Sequence, residues 1–145
     1  MEDMELDPDF WKGRSVLVTG HTGFKGVWLS IWLTMNGAKV AGFALAPEGE
    51  ETLHDKVSLS DKIDSSVIAN ISDVDALRNL VTKAQPEVIF HMAAQALVRK
   101  SYDDPMLTFQ TNVMGTDNLL EVVRQGGGVK SVVIVTSDNC YEESS

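Results

Sequence analysis

Three observations predict an α/β domain built on a doubly wound parallel sheet. Short β-rich apolar runs alternate with helix-length segments along the 145 residues, the order of a sheet crossed by helices. The runs read as continuously apolar, as strands do when both faces are covered. The first run passes directly into a bend with three glycines spaced three apart, and then into an apolar helix.

Ser15–Thr19 (SVLVT) is the first expected strand. From Gly26 to Asn36 the chain is apolar nearly all round, so this helix must pack deep, and Gly37 supplies its stop. Lys39–Leu45 (KVAGFAL) returns to strand character. Residues 46–65 are polar, with Pro47, Gly49 and several acids, and are expected to be irregular. Ser66–Ile71 reads as a short strand. Ser72 then caps a helix with Asp73 and Asp75 in its first turn, which runs to Gln85 and ends at Pro86. Glu87–Met92 (EVIFHM) is the fourth strand. Asp104 and Pro105 form a cap and an N1 proline, opening a helix that is apolar through Val123 and stops at Gly126-Gly127-Gly128. Ser131–Thr136 (SVVIVT) is the last strand. The expected division is an acidic tail over residues 1–9 and one domain over 10–145.

With 43% hydrophobic residues, a chain of this length buries enough surface to fold without a metal or disulfide, and no metal site is expected. Twelve basic against 21 acidic residues give a net charge of −9, which repels phosphate backbones and anionic lipid. Nucleic-acid and membrane-surface roles are thereby disfavoured. The single cysteine, Cys140, excludes an internal disulfide and fits a reducing compartment. Five acids among the first nine residues are the opposite of a secretory signal's basic start. No apolar run approaches the roughly 18–20 residues of a membrane span. A soluble cytoplasmic protein is expected.

The bend Thr19-Gly20-His21-Thr22-Gly23-Phe24-Lys25-Gly26 has the spacing GxxGxxG. A chain that turns off a strand, approaches a diphosphate with its backbone and packs the next helix tightly must shed side chains at three places. The helix that follows then aims its N–H groups and positive dipole end at the phosphates. Its place between a buried strand and a buried helix supports a Rossmann-like dinucleotide site at Gly20, Thr22, Gly23, Phe24 and Gly26. Lys25 either neutralises phosphate charge or is a solvated loop lysine. An acid about twenty residues on commonly holds the adenosine ribose. Here Leu45-Ala46-Pro47 occupies that place, Glu48 follows only after the proline, and no arginine is there for a 2′-phosphate. The cofactor expected is NAD.

The runs FWKGRSVLVTGHTGFKGVWLSIWL, PEVIFHMAAQALVRKSYDDP, TNVMGTDNLLEVVR and VIVTSDNCYE together resemble the extended short-chain dehydrogenase/reductase superfamily, and within it the CDP-glucose 4,6-dehydratases. The resemblance spans residues 10–142. It implies a lyase that uses tightly held NAD to oxidise the sugar at C4, lose water from C5/C6 and return the hydride to C6. CDP-glucose would become CDP-4-keto-6-deoxyglucose, a precursor of lipopolysaccharide dideoxy sugars. It implies that Gly20, Gly23 and Gly26 wrap the diphosphate, and that Asn70-Ile71 stands where the family has Asp-Ile against adenine. An amide oxygen at Asn70 can still accept one hydrogen bond. Ala93, Ala94 and Gln95 would let the chain after the fourth strand approach the cofactor, His91 would be a packed core histidine, and Asn112 would brace a neighbouring loop. Ser137 and Asp138 match the family's hydroxyl and the acid that protonates the departing C6 oxygen. Asn139 replaces a lysine assigned to elimination, and an amide cannot take the C5 proton near neutral pH.

The superfamily's alcohol oxidation uses a tyrosine with a lysine four residues later. Tyr102 has Met106 and Tyr141 has Ser145 at that spacing. The resemblance places the pair, and a substrate-binding domain, beyond Ser145. The expected fold is therefore a Rossmann-like sheet truncated before that helix. General-base help is worth about 10²–10⁴-fold, so these 145 residues are not expected to turn over CDP-glucose. Helix 105–125 would present Met106, Phe109 and Val113 to a second copy in a homodimer. Two other readings stand: a non-catalytic NAD(H)-binding module, and part of a sugar-nucleotide epimerase, which HMAAQ and TSDNCY disfavour.

Overall fold

The computed structural model describes residue 7 and residues 9–137. Five strands, β1 (Ser15–Thr19), β2 (Lys39–Ala44), β3 (Ser65–Ile68), β4 (Val88–His91) and β5 (Ser131–Ile134), form one sheet in the order β3-β2-β1-β4-β5. Every pairing is parallel, with Val16 opposite both Val40 and Val88. The chain winds from β1 outward to β3, then crosses to β4 and β5 on the other side of β1. Right-handed crossovers therefore place helices on both faces.

The period-2 alternation of the strands sorts their side chains between two cores. On one face Val16, Val18, Val40 and Val88 pack with Val27 and Leu33 of α1 (Phe24–Met35). Trp11 joins this side, its ring 6.1 Å from Trp32 and 6.0 Å from Phe90, so the chain just before β1 belongs to the domain. On the other face Leu17, Ala41, Phe43 and Ile89 meet two helices: Leu77, Leu80 and Val81 of α3 (Val74–Ala84), and Leu119 and Val122 of α6 (Gly115–Gly126).

The structure corrects several boundaries. Helix α1 begins at Phe24, two residues before the expected Gly26, because Gly23 serves as its N-cap. Residues 46–65 are not irregular throughout. Thr52 caps the short helix α2 (Leu53–Lys56), and a 3₁₀ turn follows over Leu59–Asp61. Leu59 and Ile63 are the reason: both are buried under the α1 face and tie this polar stretch to the core. β3 stops at Ile68, short of Ile71. The N-cap of α3 is Asp73, whose Oδ1 accepts from Ala76 N–H at 3.0 Å, and not Ser72. A short helix α4 (Val98–Asp103) stands where none is expected. Asp104 does cap the helix after it, accepting from Leu107 N–H at 2.9 Å. That helix is interrupted, however: α5 (Pro105–Phe109) passes through a π-helical turn (Gln110–Met114) into α6. Such turns recur at functional sites. The tail expected over 1–9 lies, apart from residues 7 and 9, outside the described residues. No helix among the described residues is long and apolar enough to cross a membrane.

Candidate functional site

The carboxyl ends of β1 to β4 open into a cleft of about 580 Å³. It sits where the winding direction reverses, between β1 and β4, the general ligand position in open parallel sheets. Gly20 forms its floor. With φ at +74° it takes a left-handed conformation, and a Cβ there would come within 2.8 Å of the Met92 carbonyl. A Cβ on Gly26 would collide with the Gly20 carbonyl oxygen. The absence of both side chains lets the bend fold flat against β4 and the start of α1. No side chain caps α1 at Gly23, so its first-turn N–H groups remain available to an anion. Thr22 fixes the far side of the bend by donating to the Leu45 carbonyl at 2.9 Å.

The exit of β4 is held by one hydroxyl. Thr19 Oγ1, fully buried, accepts from the N–H groups of Met92 (3.0 Å) and Ala93 (3.1 Å). Its own proton must then go to His91 Nδ1, 2.7 Å away. This fixes the tautomer. His91 Nε2–H donates to Thr116 Oγ1 at 3.0 Å, and Thr116 donates to the Asn112 carbonyl at 2.8 Å, inside the π turn. Asn112 in turn clasps the backbone of Gln95: its Oδ1 accepts from Gln95 N–H at 2.8 Å and its Nδ2 donates to Gln95 O at 3.1 Å. The chain runs in one direction from β1 to the loop after β4. A neutral His91 suits it, and burial lowers the pKa of that imidazole.

His21, inside the bend, is also fully buried. Its ring occupies the space left by Gly42, where a Cβ would strike it. Nε2 lies 2.8 Å from Ser66 Oγ on β3, and Nδ1 has no hydrogen-bond partner among the described residues. The ring stands edge-on to His54 of α2 at 6.0 Å. Burial, and then the neighbouring His54, lower its pKa to about 4, with the Phe43 backbone opposing weakly.

The cleft collects Gly20, Thr22, Gly23, Phe24, Asn70, Ile71, Ala93, Ala94 and Gln95 from the residues singled out in the sequence. Gly26 and Asn112 stand behind it as supports. Lys25 lies on the exposed first turn of α1, outside the lining. Two amides are already engaged. Asn70 Oδ1 accepts both the N–H (3.0 Å) and the hydroxyl (2.9 Å) of Ser72. Gln95 spends its side chain on Thr108 and on both backbone groups of Leu97. The Asn70 oxygen is filled by two donors, whereas Gln95 Oε1 accepts from Leu97 N–H alone and keeps a second acceptor site. Ser137 follows β5 on the surface, outside the cleft lining; Asp138 and Asn139 lie outside the described residues. Sequence reasoning missed Thr19 and Thr116 as supports, and Glu48, Glu50 and Lys100 as lining residues. For Thr19 there was a signal: a hydroxyl ending an otherwise apolar buried strand. Among the described residues no group of His, Cys, Asp and Glu could hold a metal ion.

The profile of the family described as GDP-mannose 4,6 dehydratase matches residues 17–143. The CDP-glucose 4,6-dehydratase of Salmonella typhimurium is 53% identical over 137 residues, 94% of this chain and 38% of that protein. The chain thus spans well under half the length of this relative. Among solved structures, an epimerase from Methanothermobacter thermautotrophicus superposes with a TM-score of 0.78 at 27% identity, covering 90% of this chain and 37% of that one. The UDP-glucose 4-epimerase of Thermus thermophilus, solved in complex with NAD, gives 0.68 at 30% identity over 81% of this chain and 35% of that one.

Two predictions follow from the buried groups. Thr19→Val keeps the shape but strands the Ala93 amide and His91 Nδ1, leaving Met92 N–H only its 3.2 Å bond to the Thr19 carbonyl, and is expected to cost about 1–3 kcal/mol in urea unfolding; a change within about 0.5 kcal/mol contradicts the role given to the hydroxyl. For His21, the unfolded chain takes a proton near pH 6.5 and the folded one only near pH 4. The unfolded state therefore binds more protons as pH falls through this window, and stability drops below pH 6.5. Between pH 7 and pH 5 the wild type should lose about 2 kcal/mol more than His21→Gln; equal losses contradict the assignment.

Proposed function

The chain belongs to the GDP-mannose 4,6 dehydratase family, and from that premise we propose that it is the NAD-binding part of a nucleotide-sugar 4,6-dehydratase acting on CDP-glucose. The observation that carries this reading is the bare glycine bend, opposed to an uncapped helix N-terminus, in a cleft at the sheet's reversal point. These residues fit a dinucleotide. Gly20 and Gly23 would take the diphosphate with the first amides of α1, Ile71 and the backbone at Asn70 would flank the adenine, and Ala93 and Ala94 would admit the nicotinamide half. When bound, the cofactor supplies a reversible hydride acceptor.

The protein side of the chemistry is divided. Ser137 and Asp138 are assigned to the leaving C6 oxygen, with Asp138 giving the proton. Asn139 can orient a sugar hydroxyl but cannot take the C5 proton. The 145 residues contain no tyrosine followed four positions later by lysine, so the alcohol proton has no base here. The 53% identity to a CDP-glucose 4,6-dehydratase supports the substrate class over the epimerase alternative. We further assign the chain to the cytoplasm, which its lone cysteine supports, and to deoxysugar supply for lipopolysaccharide, which the likeness to a CDP-glucose 4,6-dehydratase supports. Met106, Phe109 and Val113 are 67%, 64% and 53% exposed along α5 and the π turn. We assign this stripe to a contact with a second copy of the chain.

Calorimetry on the purified chain tests the reading. It is expected to bind NAD⁺ with a dissociation constant below about 1 mM and to form no 4-keto product from CDP-glucose and NAD⁺. The same preparation should scatter light as a dimer or larger. Absence of binding at millimolar NAD⁺ overturns the cofactor reading, product formation overturns the division of residues, and a monodisperse monomer overturns the contact.

A further inference from the structure

We infer that His21 is a positioning residue for the glycine bend: a buried spacer, wedged between α1 and β2, that sets where the first amides of α1 stand in the cleft. This rests on the cofactor reading above, in which those amides take the diphosphate. Two glycines make room for this one residue. A Cβ on Gly26 of α1 would come within 2.8 Å of the His21 Cα, and a Cβ on Gly42 of β2 would strike the imidazole ring. Gly42 lies inside its strand between the buried Ala41 and Phe43, where a glycine weakens the strand and marks the close approach of another group. The ring crosses β2 over Gly42 and reaches Ser66, the residue paired with Gly42 on β3, with Nε2 2.8 Å from the Ser66 Oγ. His54 of α2 stands edge-on at 6.0 Å, its own nitrogens each 3.2 Å from Asp55 Oδ1 and Ser60 Oγ. The ring is fully buried and outside the cleft lining, so its effect on a ligand must pass through the backbone. His21 directly follows Gly20 on the cleft floor and comes two residues before Gly23, the N-cap of α1. Three glycines in the seven residues from Gly20 to Gly26 leave that backbone free to take other shapes. A rigid ring held at its tip removes this freedom before any nucleotide arrives, which lowers the ordering cost of binding.

The test measures NAD⁺ dissociation constants by calorimetry for the wild-type chain, His21→Ala, Gly42→Ala, their double variant, Ser66→Ala and Ser66→Thr. Leu77→Ala, in the core on the opposite face of the sheet, controls for lost packing, and circular dichroism gives the folded fraction. His21→Ala and Gly42→Ala should each weaken NAD⁺ binding by about tenfold or more. Their losses should not multiply in the double variant, because a methyl at position 42 then has no ring to displace. Ser66→Ala should weaken binding, and Ser66→Thr, which keeps the hydroxyl, should restore it. Leu77→Ala should stay within about twofold of the wild type. Unchanged affinity in His21→Ala, multiplied losses in the double variant, no rescue by Ser66→Thr, or an equal loss in Leu77→Ala would overturn the inference. A second readout needs no nucleotide and no change within the bend. In amide NMR spectra of the free chain, Ser66→Ala should shift Gly23, Phe24 and Lys25, and unmoved resonances there overturn the inference. Should His21→Ala fail to fold, the two Ser66 variants decide. A wild type that binds no NAD⁺ overturns the cofactor reading, and the free-chain spectra then decide the spacer role by themselves.

Discussion

The contact between the end of β1 and the exit of β4 governs everything at the cleft. Gly20 brings two backbones within a distance that excludes a Cβ, and the adjacent Thr19 hydroxyl holds the two amides at that exit. One strand end thus does two jobs. It clears the floor on which a diphosphate can lie, and it orients the loop that forms the opposite wall. An unpaired buried amide costs about 1–3 kcal/mol, so the loop has a strong reason to stay where the hydroxyl puts it. The directed chain through His91 and Thr116 extends this constraint to the π turn, where Asn112 holds the loop from behind.

The architecture was legible in the sequence wherever burial dictated residue type. Leu17 faces one core and Val16 and Val18 the other, and a strand with apolar residues on both sides has few alternatives to the interior of a parallel sheet. The polar stretch 46–65 was not legible. Its order comes from Leu59 and Ile63, two apolar residues among many polar ones, and only the tertiary fold shows that they reach the α1 core. The capping of α3 failed for a local reason. Ser72 and Asp73 are both good caps, but Asn70 claims Ser72 first, closing a turn that leaves Asp73 to begin the helix.

The candidate site divides in the same way. The glycine bend could be read because its demands are steric and contiguous. The link between the supports could not, since Thr19, His91 and Thr116 are separated by 72 and 25 positions. Polar side chains near the cleft were the hardest to place. Gln95 and Asn70 carry the right chemistry for a ligand, yet their oxygens satisfy nearby backbone and hydroxyl donors. Both amides instead close local bonds with the backbone two residues on, Asn70 with Ser72 and Gln95 with Leu97, and these compete with any outward contact. Glu48, lying past a proline, looked too late to matter until the fold returned it to the wall.

The central claim is that a diphosphate sits on the backbone amides at the start of α1. Amide-resolved NMR during titration with NAD⁺ tests it most directly. The account predicts that the largest shifts fall on Gly20, Gly23, Phe24 and Lys25, with a second group at Ala93 and Ala94 across the cleft. Shifts confined to the exposed faces of α1 or α6, with the bend unmoved, would contradict it.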